Sequence, residues 1–96
     1  MVDLEQLVVV NNPLESRFEA WVGDQVAVLD YVVDHEGDLV LAHAGTPSAL
    51  EGQGIAGKVV HDALEYAKAN GLRVVPLCSY VSAYVRRHPE YRPLVK

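Results

Sequence analysis

The sequence predicts one small α/β (α+β) domain spanning residues 1–96: an antiparallel meander of about four strands, then helix, strand and helix. Three observations carry this. Short β-branched runs separated by turn residues fill the first half; the hydrophobic period becomes helical from about Gly54; and a further apolar run, 73–78, follows that helical stretch. A chain of 96 residues is enough for one domain and too short for two.

Gln6 to Asn11 is a Val-rich first strand closed by the turn signal Asn12-Pro13. Arg17 to Val22 is a second strand, with Phe18, Ala20 and Val22 on one face. Gly23-Asp24 suits a two-residue hairpin. Gln25 to Asp34 is apolar on both faces around Val26 to Leu29, which places that third strand centrally. A turn over 35–38 leads to a fourth strand, Leu39 to Ala44. In the helix that follows, Ile55, Ala56, Val59, Val60, Ala63, Leu64 and Ala67 share a face, and Asn70-Gly71 stops it. Arg73 to Cys78 is a fifth strand, and Ser79 caps a last helix running to about Arg87 before Pro89. Trp21 and Tyr31 are expected in the core.

Half of the residues are hydrophobic and 22% are charged, which is globular composition. A net charge of −5 disfavours a general nucleic-acid binder, since neutralising phosphates needs a basic surface. The single cysteine, Cys78, permits neither an intramolecular disulfide nor a cysteine zinc site. Met1 to Glu5 lacks the pattern of a signal peptide, and no apolar run approaches a membrane span, so no membrane partner and a cytoplasmic location are expected.

Chemistry concentrates in Glu51-Gly52-Gln53-Gly54-Ile55-Ala56-Gly57-Lys58. Glycines let a backbone approach a ligand closely, and a helix start behind them offers unpaired N–H groups and the positive end of its dipole. The loop therefore suits a phosphate, although tight packing alone would also use glycines. Gly52-x-Gly54-x-x-Gly57 spells the dinucleotide fingerprint, but the preceding strand ends several residues too early and no acidic residue stands at the required distance. Gly52-x-x-x-x-Gly57-Lys58 nearly spells a Walker A loop, but Val59 replaces the hydroxyl that binds magnesium.

A strand meander, then a [Gln/Arg]-x-x-Gly-x-[Gly/Ala] loop, then helix, strand and helix, resembles the GNAT superfamily of acetyltransferases. Here the loop reads Glu51-Gly52-Gln53-Gly54-Ile55-Ala56. With Pro76 to Val81, the basic run and His88-Pro89-Glu90-Tyr91, the chain from Arg17 onward is similar to the minimal single-domain members. The resemblance implies a GNAT-like mixed sheet, acetyl-CoA (coenzyme A) as co-substrate, and transfer of its acetyl group to an amine whose identity the sequence does not give. A non-catalytic acyl-CoA-binding module is the alternative. Two departures stand out: Glu51 takes the usual Gln or Arg position, and only Asn11 to Ser16 joins the first two strands, where larger members carry helices.

The resemblance also implies site residues. Backbone groups of Gly52, Gln53, Gly54, Ile55, Ala56, Gly57 and Lys58, with Glu51, would hold the pyrophosphate. Strands four and five would splay apart, so that Leu41, Ala42, His43 and Ala44 line the pantetheine arm. Pro76 is consistent with this, because it cannot donate a ladder hydrogen bond. Cys78, before a helix start that favours thiolate, would lie near the thioester and could carry the acetyl group. Tyr84 would protonate the departing thiolate, with Tyr80 and Tyr91 as competitors. His43 is the candidate general base, or a hydrogen-bonded structural residue. Arg87, in the basic cluster Arg86-Arg87-His88 with Arg92 and Lys96, would meet the nucleotide end. Glu19 could attract a cationic amine.

Overall fold

The computed structural model describes residues 2–96. Its strands are β1 (Val9–Asn12), β2 (Arg17–Val22), β3 (Gln25–Val33), β4 (Leu39–Gly45) and β5 (Val74–Pro76), in the sheet order β1-β2-β3-β4-β5. The first four pair antiparallel, and β5 joins β4 in parallel. Helix α1 (Ile55–Ala69) lies between β4 and β5, and α2 (Ser79–Arg87) follows β5. A 3-10 turn, Ser48–Leu50, precedes α1 and another, Pro89–Leu94, follows α2. No helix among the described residues is long and apolar enough to cross a membrane.

The meander matches the hydrophobic pattern, and the doubly apolar β3 is the central strand. The differences are local. Asp3, not Gln6, organises the start: the amides of Gln6 and Leu7 donate to its carbonyl, and that of Glu5 to its carboxylate, so β1 begins only at Val9. The fifth strand is cut to Val74–Pro76, because the Leu77 amide turns back onto Val75 O at 3.1 Å. The Cys78 amide makes one last rung to Leu41 O at 3.0 Å, so Cys78 rather than Ser79 takes the cap position of α2, without a side-chain cap bond.

The core lies between one sheet face and the two helices. Leu29, Leu39 and Leu41 from the sheet meet Ile55, Val59, Val60 and Leu64 of α1 and Val81 of α2, all almost fully buried. Every apolar α1 position named from the sequence is buried except Ala56, which is half-buried. The opposite face of the sheet carries no helix. Val8, Val10, Trp21 and Val32 stand exposed there, so Trp21 is a surface residue instead of a core one. Only residues 13–16 join β1 to β2, too few to fold back as a helix over that face.

Two long-range contacts tie down the C-terminal segment. The Lys96 ammonium sits 2.8 Å from Glu36 and 2.7 Å from Asp38, filling the cluster those residues form with Asp34. Buried Tyr91 donates its hydroxyl to Glu65 at 2.6 Å, and burial with that bond holds the phenol protonated. Tyr91→Phe keeps the ring and removes the bond, and should cost about 1.5 kcal/mol. Urea unfolding should show this as a lower midpoint at unchanged slope.

Candidate functional site

A cavity of about 650 Å³ opens where β4 runs into the loop before α1. Its walls include Ala44, Gly45, Glu51, Gly54, Ala56 and Tyr80. The loop geometry explains its glycines. Gly52 and Gly54 both adopt φ of +79°, a left-handed conformation costing other L-residues about 1–2 kcal/mol. Gly54 caps α1 without any side-chain bond, and no acidic residue occupies the first turn. Among the described residues, the amides from Gly52 to Gly57 donate to no protein acceptor, and the first one paired is Lys58 to Gly54 O at 3.1 Å. The helix end therefore presents free N–H groups beside the cavity.

Other loop residues are already engaged. The Gln53 side chain accepts the Val2 amide at 2.9 Å, and Leu4 lies beneath Gly54, so an N-terminal segment props the loop. Glu51 is exposed, and its amide donates to Ser48 O. The Lys58 ammonium pairs with Asp62 at 3.2 Å, one helical turn on. Gly57 has ordinary helical backbone and room for a side-chain carbon: a Cβ there would make ordinary contacts, 3.5 Å from Tyr80 Oη and 3.9 Å from Tyr84 Cε2.

Beyond Leu41 the β4 edge facing β5 is free. Pairing ends at Leu41↔Pro76, and the buried Leu41 has its carbonyl engaged by Cys78. The open edge therefore starts at Ala42. On its other side β4 pairs with β3, but Asp30 opposes His43 while Tyr31 opposes Leu41, so Ala42 is bulged out of the ladder. That bulge turns the His43 side chain onto the bare sheet face. There its Nδ1 lies 3.2 Å from Asp30 Oδ2, and both side chains are accessible.

The tyrosines separate. Tyr80 lines the cavity and is partly exposed. Tyr84 is buried at the seam of α1 and α2, stacked on His88 with ring centroids 3.9 Å apart, and is not among the cavity residues. Burial, then the charge of Glu90, pushes its phenol pKa up. Cys78 is half-buried at the start of α2. Arg87 is exposed on the last turn of α2 and does not line the cavity. Leu50, where the glycine-rich loop begins, also lines the cavity, and Gly45 and Thr46 do so without having been singled out in the sequence.

A sequence model of the GCN5-related N-acetyl-transferase family matches residues 17–94. The chain belongs to that family. Among solved structures, this acetyltransferase chain is similar to the NMR solution structure of a GCN5-like N-acetyltransferase candidate from Staphylococcus aureus. The TM-score is 0.70 at 22% identity, covering 94% of this chain and 88% of that one. The neighbour supports the GNAT fold, and the family supplies the reaction class, acetyl transfer.

Glu19 shows what is not available to a ligand. It is 5% exposed on the bare face, where Arg17, Trp21 and Asn12 all donate to its carboxylate. The Arg17 bond is the main cause holding its carboxyl below the usual 4.5, against a burial penalty. Glu19 is therefore a structural anchor and not a free charge for an incoming amine. A lowered folded-state pKa contributes stability above the ordinary carboxyl value, lost as pH falls through the folded one. Thermal melts from pH 6 down to about pH 3 should show a smaller acid-induced drop for Glu19→Gln than for the parent. The glycines should separate in urea: Gly52→Ala loses about 1–2 kcal/mol, whereas Gly57→Ala gains up to about 1 kcal/mol from helix propensity.

Proposed function

We propose that the chain binds acetyl-CoA across the loop of Gly52 to Gly57 and the free edge of β4, and transfers the acetyl group to an amine. The observation that carries this is the uncapped, unpaired start of α1 beside a cavity that continues to an unpaired strand edge. A pyrophosphate fits the former because converging N–H groups and the helix dipole favour an anion. An extended pantetheine arm fits the latter because its amides can bond to a strand lacking a neighbour. The left-handed glycines fit too, since side chains would crowd the phosphate approach.

In this reading the loop amides orient the co-substrate, and backbone groups of Ala42 to Ala44 hold the arm and polarise the thioester carbonyl. A neutral amine forms the new C–N bond while the C–S bond breaks, its surplus proton passes to solvent, and the sulfur leaves with the electron pair. Tyr80, the phenol on the cavity wall, donates the proton that thiolate needs; Tyr84 packs behind it. Cys78, at the end of the last rung to β4, stands where an acetyl group could be taken up covalently. Exposed Arg87 would reach a phosphate only at the nucleotide end.

Calorimetric titration tests the assignment. Acetyl-CoA and CoA should bind with micromolar affinity, roughly −8 kcal/mol, and ATP much more weakly. Gly54→Ala, which forces a left-handed alanine with its Cβ 3.0 Å from Leu4, should weaken both CoA species at least about tenfold. Binding of neither CoA species would refute the assignment. With hydrazine as a small acceptor, Tyr80→Phe should slow thiol release by about 100-fold at unchanged CoA affinity. Tyr84→Phe should alter stability only.

A further inference from the structure

The cavity and the His43–Asp30 pair lie on opposite faces of the sheet, with the free edge of β4 between them. Resting on the acetyl-CoA reading above, we infer that the acceptor approaches from the bare face. There Asp30 positions His43 as the base that deprotonates it, and the acceptor is a primary amine carried on an apolar body.

The tautomer follows from the contact. His43 Nδ1 faces the Asp30 carboxylate at 3.2 Å, so Nδ1 carries the proton and Nε2 is left as the acceptor. The proton shed by the amine passes to Nε2 and from there to solvent. The amine's lone pair forms the C–N bond, and the sulfur leaves with the electrons of the C–S bond. The imidazole is accessible and stems from the strand edge assigned to the thioester, with no secondary-structure element covering it.

The surroundings define the acceptor. The rows of residues running across the strands can be read from the register. Asp30 and His43 share one with Asn12 and Arg17, whose Nε donates to Glu19. The row on one side holds Val10, Glu19, Val28 and Gly45; that on the other holds Val32 and Val40. With Glu19 saturated by its donors, the accessible carboxylate beside His43 is Asp30, flanked by valines. A cation is therefore drawn to the Asp30–His43 pair, while its apolar part contacts Val28 and Val32.

Steady-state acetyl-CoA consumption with two amines, phenethylamine and hydrazine, tests this, alongside calorimetric acetyl-CoA binding for each variant. At about pH 9, where the assay is run, phenethylamine is still mostly protonated and needs a base, whereas hydrazine is mostly unprotonated and does not. The parent protein should use both. His43→Gln should lose about 100-fold in turnover with phenethylamine and at least tenfold less than that with hydrazine, at unchanged acetyl-CoA affinity. Asp30→Asn should show the same amine-selective loss at about tenfold, as expected of a positioning residue. Equal losses with both amines would overturn the base assignment. Use of hydrazine alone, or of neither amine despite intact acetyl-CoA binding, would overturn the acceptor class and the face. Failure of acetyl-CoA to bind at all would remove the underlying reading, and this inference with it.

Discussion

Pro76 has no amide hydrogen, and the chain passing through it folds the Leu77 amide back onto Val75. The parallel ladder between β5 and β4 therefore stops after one more rung, from Cys78 to Leu41. Because β4 continues to Gly45 while β5 does not, a strand edge is left without a partner inside the molecule. The bulge at Ala42, the start of α2 at Cys78 and the cavity before α1 are arranged around that edge. The same few residues thus end the ladder with β5 and leave the far end of β4 open beside the cavity.

Much of this is legible in the sequence where the cause is local. Alternating apolar residues specify β2 and β3, the period of Val59, Val60, Ala63 and Leu64 specifies the buried stripe of α1, and Gly52 and Gly54 announce backbone that other residues avoid. What escapes the sequence is set by contacts between distant positions. Gln53 is occupied by Val2, and Glu19 is buried on a face that periodicity marks as solvent. That Tyr80 lines the cavity and Tyr84 does not depends on how α2 lies across Gly57, which spacing along one helix cannot show. Trp21 is misplaced for a related reason: its neighbours Ala20 and Val22 belong to the core face, and an aromatic residue beside them invites the same assignment.

The bare sheet face is the main structural departure from a sheet covered on both sides. It leaves valines in contact with water, yet it also removes any wall around His43 and Asp30. The Arg17–Glu19–Trp21–Asn12 cluster holds the middle of that face together by hydrogen bonds in place of a packed helix. Such a network orders the side chains without enclosing a pocket, which suits a surface that must stay open to solvent.

That cluster has a spectroscopic consequence. The chain contains one tryptophan, and its indole N–H is tied to Glu19 at 3.2 Å while half of its surface meets water. Emission excited selectively at the tryptophan, apart from the five tyrosines, is therefore a single-site optical signal from the bare face. A molecule settling over the valines would exclude water from the indole and move its emission maximum toward the blue. The glycine loop lies across the sheet from this fluorophore, so occupancy there would leave the spectrum largely unchanged. The protein thus carries a native reporter that distinguishes which of its two faces has been engaged.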